Sequence, residues 1–404
     1  MRRSCFLFAS LVLLTLAAAA SAPRNFRSLE QRAEELRGLR FKTPVPIRRV
    51  DPKTLRGVLD DQMRKETSDA EWTPMEKSLK AFGLIPPKMN LKAVLKGLLE
   101  DQVVGLYDPG QKKLYVSDQP LDGADLLEGL GGEDFNLSDV YIIHEMVHAL
   151  TDQYFNLNSM PINDKDDEDR ASAARCVVEG DATWVMLRYL YQVLQIQPEQ
   201  QKQATDLMLG MTMGKEILGS SIPDYLQENL LVAYLGGMNL VKAAYDRGGF
   251  QAVNRLYTHP PQSMEQVLHP DKYFAGSDPP LRVTVVPPKA FAAGGFKSLV
   301  SGTWGEFNVQ IILKEWGVDD AAATKAAEDW GGDRYTVFEG PAGELAFAWA
   351  TLWDTPEAAA RFARALKAIK GVTVARDGNG VTVVKGAPAA EGAGKGSAPA
   401  QKAA

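Results

Sequence analysis

The chain of 404 residues is short of two residue types that build sites: it has two cysteines and four histidines. Cys5 sits in an apolar N-terminal run, so Cys176 is expected to stand alone in the mature chain. That excludes an internal disulfide and a cysteine-based zinc site, and leaves Cys176 to pack as a small buried hydrophobe. Positive charge is in deficit too. With 45 Lys and Arg against 51 Asp and Glu the net charge is −6, which excludes the overall basic field of a nucleic-acid binder. Beyond the N-terminus no segment is long and apolar enough to span a bilayer, so no membrane span is expected in the mature chain. What is present, 45% hydrophobic and 24% charged residues, suits a globular protein large enough for two domains.

The N-terminus reads MRRSCFLFASLVLLTLAAAASA: two arginines, an apolar run, then small residues. This is the layout of a secretory signal peptide, with cleavage expected near Ala20 or Ala22 and export of the mature chain to the periplasm or beyond. The apolar run from Cys5 to Ala20 falls short of the roughly 20 residues of a membrane anchor. The expected organisation is a signal peptide at 1–22, a mostly helical domain at 23–280, a small α+β domain at 281–386 and a low-complexity, disordered tail at 387–404. The fold class is α+β.

Local patterns place the elements. Residues 27–100 read mainly helical, with a Pro-bounded extended piece at PVPIRRV (44–50). GLYDPGQKKLYV (105–116) has two short apolar and aromatic runs around Asp108-Pro109-Gly110, and reads as a β-hairpin. A Gly-rich acidic loop (122–136) leads to a helix over about 139–155, with Ser138 as N-cap. The acidic NDKDDEDR (163–170) lacks the alternating ligand pattern of a calcium loop and suits the start of the next helical stretch, 171–194. In the C-terminal part, RYTVFEG and ELAFAWATLW read as a strand pair, VTVARDGNGVTVVKG as a second hairpin, and WGGDRY (330–335) as a turn beside a buried tryptophan.

One stretch carries chemistry. YIIHEMVHALTDQYF (141–155) holds ionisable groups in a helix that is apolar nearly all round. On a helix His144 and His148 lie one turn apart on one face and can converge on one cation. Glu145 lies beside that face, placed to reach a water activated by the metal without taking a ligand position. Catalytic zinc usually has three protein ligands. His259 and His269 are far downstream. Glu179, in VVEGDATW, is the better candidate, because a free carboxylate in an apolar helical run is expensive. Asp181 is its competitor, and an ion pair with Arg175 is the plain structural reading of Glu179. Gly180, costly in a helix, makes sense where two helices or a metal approach closely.

The pair His144-Glu145-x-x-His148 on one helix and EGDAT (179–183) on the next resembles the gluzincin branch of the zincin metallopeptidases. GLYDPGQKKLYV resembles the strand pair that precedes the active-site helix in that group, and HALTDQ (148–153) resembles uncharacterised bacterial members of the peptidase MA-like group. The resemblance implies a zincin-like, mostly helical metallopeptidase core with a short β-hairpin before the active-site helix. It implies a zinc ion held by His144, His148 and Glu179, Glu145 as general base, and a peptide or protein substrate. PQSMEQVLHPDKY (261–273) is similar to a segment recurring in the group, which makes His269 a candidate oxyanion donor beside His259 or a tyrosine. Thermolysin-like members carry an aspartate four residues after the ligand glutamate, where this chain has Thr183. Asp152 or Asp181 is the candidate for orienting a zinc histidine instead. The edge of the hairpin at 105–116 is a candidate place for an extended peptide to add as a strand. The alternative is a zinc-containing binding or assembly protein on the same scaffold that does not cleave.

Overall fold

The computed structural model describes residues 16–17, 25–100, 105–118, 123–124, 136–213, 222–276, 278–387 and 401–402. The expected signal peptide, the acidic loop 122–136 and the tail lie almost wholly outside them. Among the described residues no helix is long and apolar enough to cross a membrane. The fold is mixed α+β, in two compact units that are not continuous in sequence. The first gathers residues up to Thr67 with Lys92–Asn163 and Ala174–Pro260; the second gathers Ser68–Leu91, Asp164–Ala173 and everything from Pro261 on. The linear boundary expected at 280 does not describe this interleaving.

In the first unit, helix α1 (Phe26–Arg37) precedes strand β1 (Ile47–Val50), and β2 (Gly105–Asp108) and β3 (Lys113–Ser117) form the expected hairpin. The turn is made by Asp108, whose Oδ1 accepts the N–H groups of Gly110 and Gln111 at 2.8 and 2.9 Å. The PVPIRRV segment supplies β1, which pairs parallel with β3, so the sheet order is β1-β3-β2 and β2 is an edge. All four residues of β2 are buried, and the Tyr107 N–H on that edge is taken by Glu145, so the expected edge is not free along its length.

Helix α2 (Leu137–Phe155) carries the two histidines. Its cap is Asn136, whose side chain accepts from Ser138 N at 2.9 Å, rather than Ser138 itself; both types cap well, and the asparagine lies two residues earlier. The all-round apolar sequence of α2 is explained by what surrounds it. Ile142, Ile143, Met146, Val147 and Ala149 pack with Leu29, Ala33 and Leu36 of α1, with Tyr107, Leu114 and Val116 of the hairpin, and with Ala182 and Val185 of α3 (Glu168–Val193). On another side Val140 and Tyr141 meet Met186, Leu187 and Leu190 of α3 and Met238 of α4 (Asp224–Thr258). Each of the larger side chains among these contributes about 1.5–3 kcal/mol by leaving water, which is how the helix tolerates buried ionisable groups. Helix α4 bends at Gly248–Gly249, where Gly249 takes φ 57°.

The second unit is built on a five-stranded antiparallel sheet. Its strands are β4 (Lys297–Gly302), β5 (Trp330–Glu339), β6 (Leu345–Trp353), β7 (Val372–Asp377) and β8 (Gly380–Lys385), in the order β7-β8-β6-β5-β4. The two expected strand pairs are there; β4 had no expectation. WGGDRY is not a turn but the start of β5, with an irregularity in register between Trp330 and Gly332. Gly332 has no room for a side chain, because the carbonyl of Leu281 lies against its Cα. Asp333 is a buried anchor: its carboxylate accepts Trp304 N and Gly305 N, Trp330 Nε1 at 3.2 Å and Trp349 Nε1 at 2.9 Å. Helix Asp69–Phe82 belongs here because Phe82 stacks on Phe347 with ring centroids 4.0 Å apart and its carbonyl accepts Trp316 Nε1 at 2.7 Å.

Candidate metal centre

Helix α2 presents His144 and His148 one turn apart, both buried, and α3 presents Glu179 to them. His144 Nε2 and His148 Nε2 are 3.0 Å apart; Glu179 Oε2 lies 3.2 Å from the first and 3.5 Å from the second. Ligand atoms about 2.0–2.1 Å from a tetrahedral zinc stand about 3.3 Å from one another, so this spacing is that of three corners of a zinc site. The donor set, two imidazoles and a carboxylate, is also that of catalytic zinc. The residues therefore fit the ion.

With no ion present, His144 and Glu179 lean toward their metal-binding forms and His148 leans the other way. Burial holds His144 below the usual histidine range, against the pull of its hydrogen bond to Glu179. Burial would lower His148 as well, but the charge and hydrogen bond of Glu179, with the charges of Glu145 and Asp181, outweigh it and raise the imidazole. Burial would raise Glu179, yet the charge of His148 and the hydrogen bonds of both histidines keep it below the usual carboxylate range. A neutral imidazole and an ionised carboxylate are the forms that bind metal.

Asp181 does not join this group. Its Oδ2 accepts Arg37 Nε at 2.7 Å and Tyr257 OH at 2.8 Å, and Arg37 Nη2 goes on to Asn254 Oδ1 at 2.7 Å. Between the two third-ligand candidates it is Glu179 that meets the histidines, while Asp181 fastens α3 to α1 and α4. In the plain reading Glu179 pairs with Arg175; here Glu179 Oε2 faces the two histidines, and Arg175 Nη1 donates to the Ile162 carbonyl. Neither aspartate hydrogen-bonds a site histidine. Asp152 accepts Tyr107 OH at 2.7 Å, Lys112 Nζ at 2.6 Å and Leu157 N at 2.9 Å, and so holds the hairpin against α2. The Nδ1 atoms of His144 and His148 are buried without a protein hydrogen bond, as is Thr183 Oγ1, in the position where thermolysin-like members carry aspartate.

The backbone crossing beside Glu179 answers why Gly180 is tolerated in a helix. A Cβ on Gly180 would overlap the carbonyl group of Gly237 on α4 and stand 2.6 Å from Met238 N. Three residues before Gly237, Tyr234 places its ring 6.1 Å from that of His144. Glu145 is buried, and its Oε2 accepts the main-chain N–H of Tyr107 at 2.7 Å. Tyr107, Tyr234, Arg37 and Tyr257 carry no motif. Only the aromatic residue inside GLYDP marked the first of them, and nothing local marked the others.

His269 belongs to the second unit. There its Nε2 is 2.9 Å from Oε1 of Glu306, which is fully buried. The Glu306 hydrogen bond and charge raise His269 against the effect of burial, with Glu265 adding and Lys272 opposing. A raised histidine stabilises the folded state fully below its ordinary value of 6.5 and loses that contribution as pH climbs through the raised one. Urea unfolding midpoints of the wild type should therefore fall as pH rises past neutrality more steeply than those of His269→Gln. Parallel curves would remove the pair from the pH dependence.

Among the described residues a second group close enough for an ion is Glu265, Asp278 and Asp354. Its cation is already present, since Lys272 Nζ lies 2.7, 2.6 and 3.3 Å from the three carboxylates. The acids of 163–170 form no such group.

Comparison with known proteins adds little chemistry. A family model described as a domain of unknown function (DUF8575) matches residues 296–372, part of the second unit. No curated protein matches the sequence. Among solved structures, a chain described as a "putative hydrolase with a novel fold" from Chloroflexus aurantiacus is similar, at 20% identity and a TM-score of 0.35, over 64% of this chain and 92% of that one.

Proposed function

We propose that this chain is a zinc metallopeptidase on a zincin-like core, exported by its N-terminal segment and cleaving a peptide or protein substrate. The observation that carries the reading is the convergence of His144 Nε2, His148 Nε2 and Glu179 Oε2 at zinc-ligand spacing, with Glu145 adjacent on the same helix. When bound, the zinc supplies a Lewis acid that lowers the pKa of water and polarises a carbonyl. Glu145 does the proton work, taking a proton from the attacking water and returning it to the leaving amine. Its carboxylate is oriented for this by the Tyr107 N–H. Tyr234, beside His144, is the candidate for the oxyanion donor first sought at His269.

The test is metal analysis followed by one substitution. Purified protein should hold about one zinc per chain. Glu145→Gln should keep the zinc and lower kcat on peptide substrates by about 10²–10⁴-fold, the usual contribution of a general base. A Glu145→Gln protein with zinc bound and undiminished biological activity would move the reading to a zinc-containing binding protein that does not cleave.

A further inference from the structure

Tyr107 ties the hairpin to α2 at two points. Its main-chain N–H donates to Glu145 Oε2 at 2.7 Å, and its phenol donates to Asp152 Oδ2 at 2.7 Å. Glu145 and Asp152 are two helical turns apart and so lie on one face of α2. One residue of the strand thus spans the distance between them, with its backbone at one end and its side-chain hydroxyl at the other. Because β2 is the edge of its sheet, alternate N–H groups point away from β3, and the one at Tyr107 ends on Glu145. Gly105 lies close by: a Cβ there would stand 3.5 Å from Glu145 Cγ, so the strand also lies along the stem of that side chain.

The far end of the span is well fixed. Asp152 is buried, and it accepts from Lys112 at the hairpin turn and from Leu157 N just past the helix end. Its three partners hold the carboxylate from three directions, so the Tyr107 phenol is tied to a point that cannot drift. The near end is the hydrogen bond from the Tyr107 N–H to the carboxylate of Glu145, a buried side chain with three torsions to fix.

We propose that Tyr107 is a positioning residue for Glu145: the phenol–Asp152 bond sets β2 at the height at which its N–H holds the Glu145 carboxylate. The inference rests on the reading of Glu145 as general base, but its structural half can be tested without turnover. A plain structural staple between hairpin and helix would stabilise the fold and leave Glu145 untouched. A positioning residue must change the Tyr107 amide and kcat together.

The variants are Tyr107→Phe, which keeps the ring and the N–H, and Asp152→Asn, which keeps an acceptor for Leu157 N. Glu145→Ala serves as the reference for a lost acceptor. In zinc-loaded protein, hydrogen exchange at the 107 amide, read by fragment mass spectrometry, should quicken about tenfold in all three. With peptide substrate, Tyr107→Phe and Asp152→Asn should each lower kcat roughly fivefold to twentyfold, the scale of a misplaced catalytic group, with KM and zinc content unchanged. The double variant should be no worse than the worse single, since both break the phenol–Asp152 bond, Asp152→Asn losing the Lys112 ion pair as well. Wild-type exchange at 107 in Tyr107→Phe overturns the proposal, and so does a kcat loss that adds across the two variants. If the wild type cleaves no peptide, the peptidase reading falls on its own. The exchange measurement then decides the positioning: faster exchange upholds it, unchanged exchange overturns it.

Discussion

Glu179→Ala is expected to strip the zinc from a protein that still folds. The two histidines sit on α2, which is held by apolar contacts on several sides that Glu179 does not make. What the substitution removes is the one anion of the ligand set, whose Oε2 faces both imidazole nitrogens. A structural zinc site is worth about 10–16 kcal/mol spread over four protein ligands, so one ligand is worth about 3 kcal/mol. That corresponds to roughly a hundredfold in Kd. Loss of the only negative ligand should give at least that, measured by competition with a chromophoric chelator. Asp181 is not expected to step in, because Arg37 and Tyr257 already hold its Oδ2. Thermal unfolding offers a second readout. Zinc that binds only the folded state raises the wild-type melting temperature in proportion to the logarithm of its concentration over Kd, and that rise should vanish in Glu179→Ala. An unchanged affinity would mean that the ion, if bound, takes its third ligand elsewhere.

The parts of this centre differ in how far they could be read from the chain. The histidines were legible because helical spacing alone puts positions four apart on one face, and because a helix with no polar side has no reason to carry them otherwise. Glu179 was legible by cost: a carboxylate in VVEGDATW needs a partner. The same reasoning preferred Glu179 but kept Asp181 as its competitor, since both are acids in one buried run, and the partner that takes Asp181 is Arg37, 144 residues away in sequence. Asp152 shows the opposite failure. Its place one turn after His148 suggested a bond to an imidazole, whereas the rotation of α2 aims it at the hairpin, where Tyr107 and Lys112 meet it. Turn chemistry found both hairpins, through Asp108-Pro109-Gly110 and Asp377-Gly378-Asn379-Gly380. WGGDRY misled because its glycines look like a turn, while Gly332 is needed for the close approach of the Leu281 carbonyl and Asp333 is an acceptor for two indoles. The interleaving of the two units was beyond reach: Phe82 carries no mark in sequence that it stacks on Phe347.

The crossing of α3 and α4 is sensitive to a single methyl group. A Cβ on Gly237 would overlap the Cys176 carbonyl oxygen and stand 2.8 Å from its carbon and 3.0 Å from the Cys176 Cα. These are backbone atoms, which cannot rotate out of the way, so Gly237→Ala must push the helices apart. Helix propensity works the other way and favours alanine by up to about 1 kcal/mol. Overpacking of a tight core costs about 1–3 kcal/mol, or more where only backbone can yield, so steric cost wins. The expected net loss is on the order of 1–3 kcal/mol in urea unfolding. Gly57→Ala gives the control: it lies exposed in helix Pro52–Glu66 with nothing within 4 Å of the added carbon, and should be neutral or slightly stabilising. The crossing also bears on the metal. Gly180 meets Gly237 one residue after Glu179, so parting the helices moves Glu179 against histidines that stay on α2. A zinc site tolerates about 0.2 Å in its ligand distances, and separating two backbones by a methyl group exceeds that. Gly237→Ala and Gly180→Ala should therefore each weaken zinc binding as well as the fold, without touching a ligand. A variant that loses stability and keeps full zinc affinity would show that Glu179 is held by contacts other than this crossing.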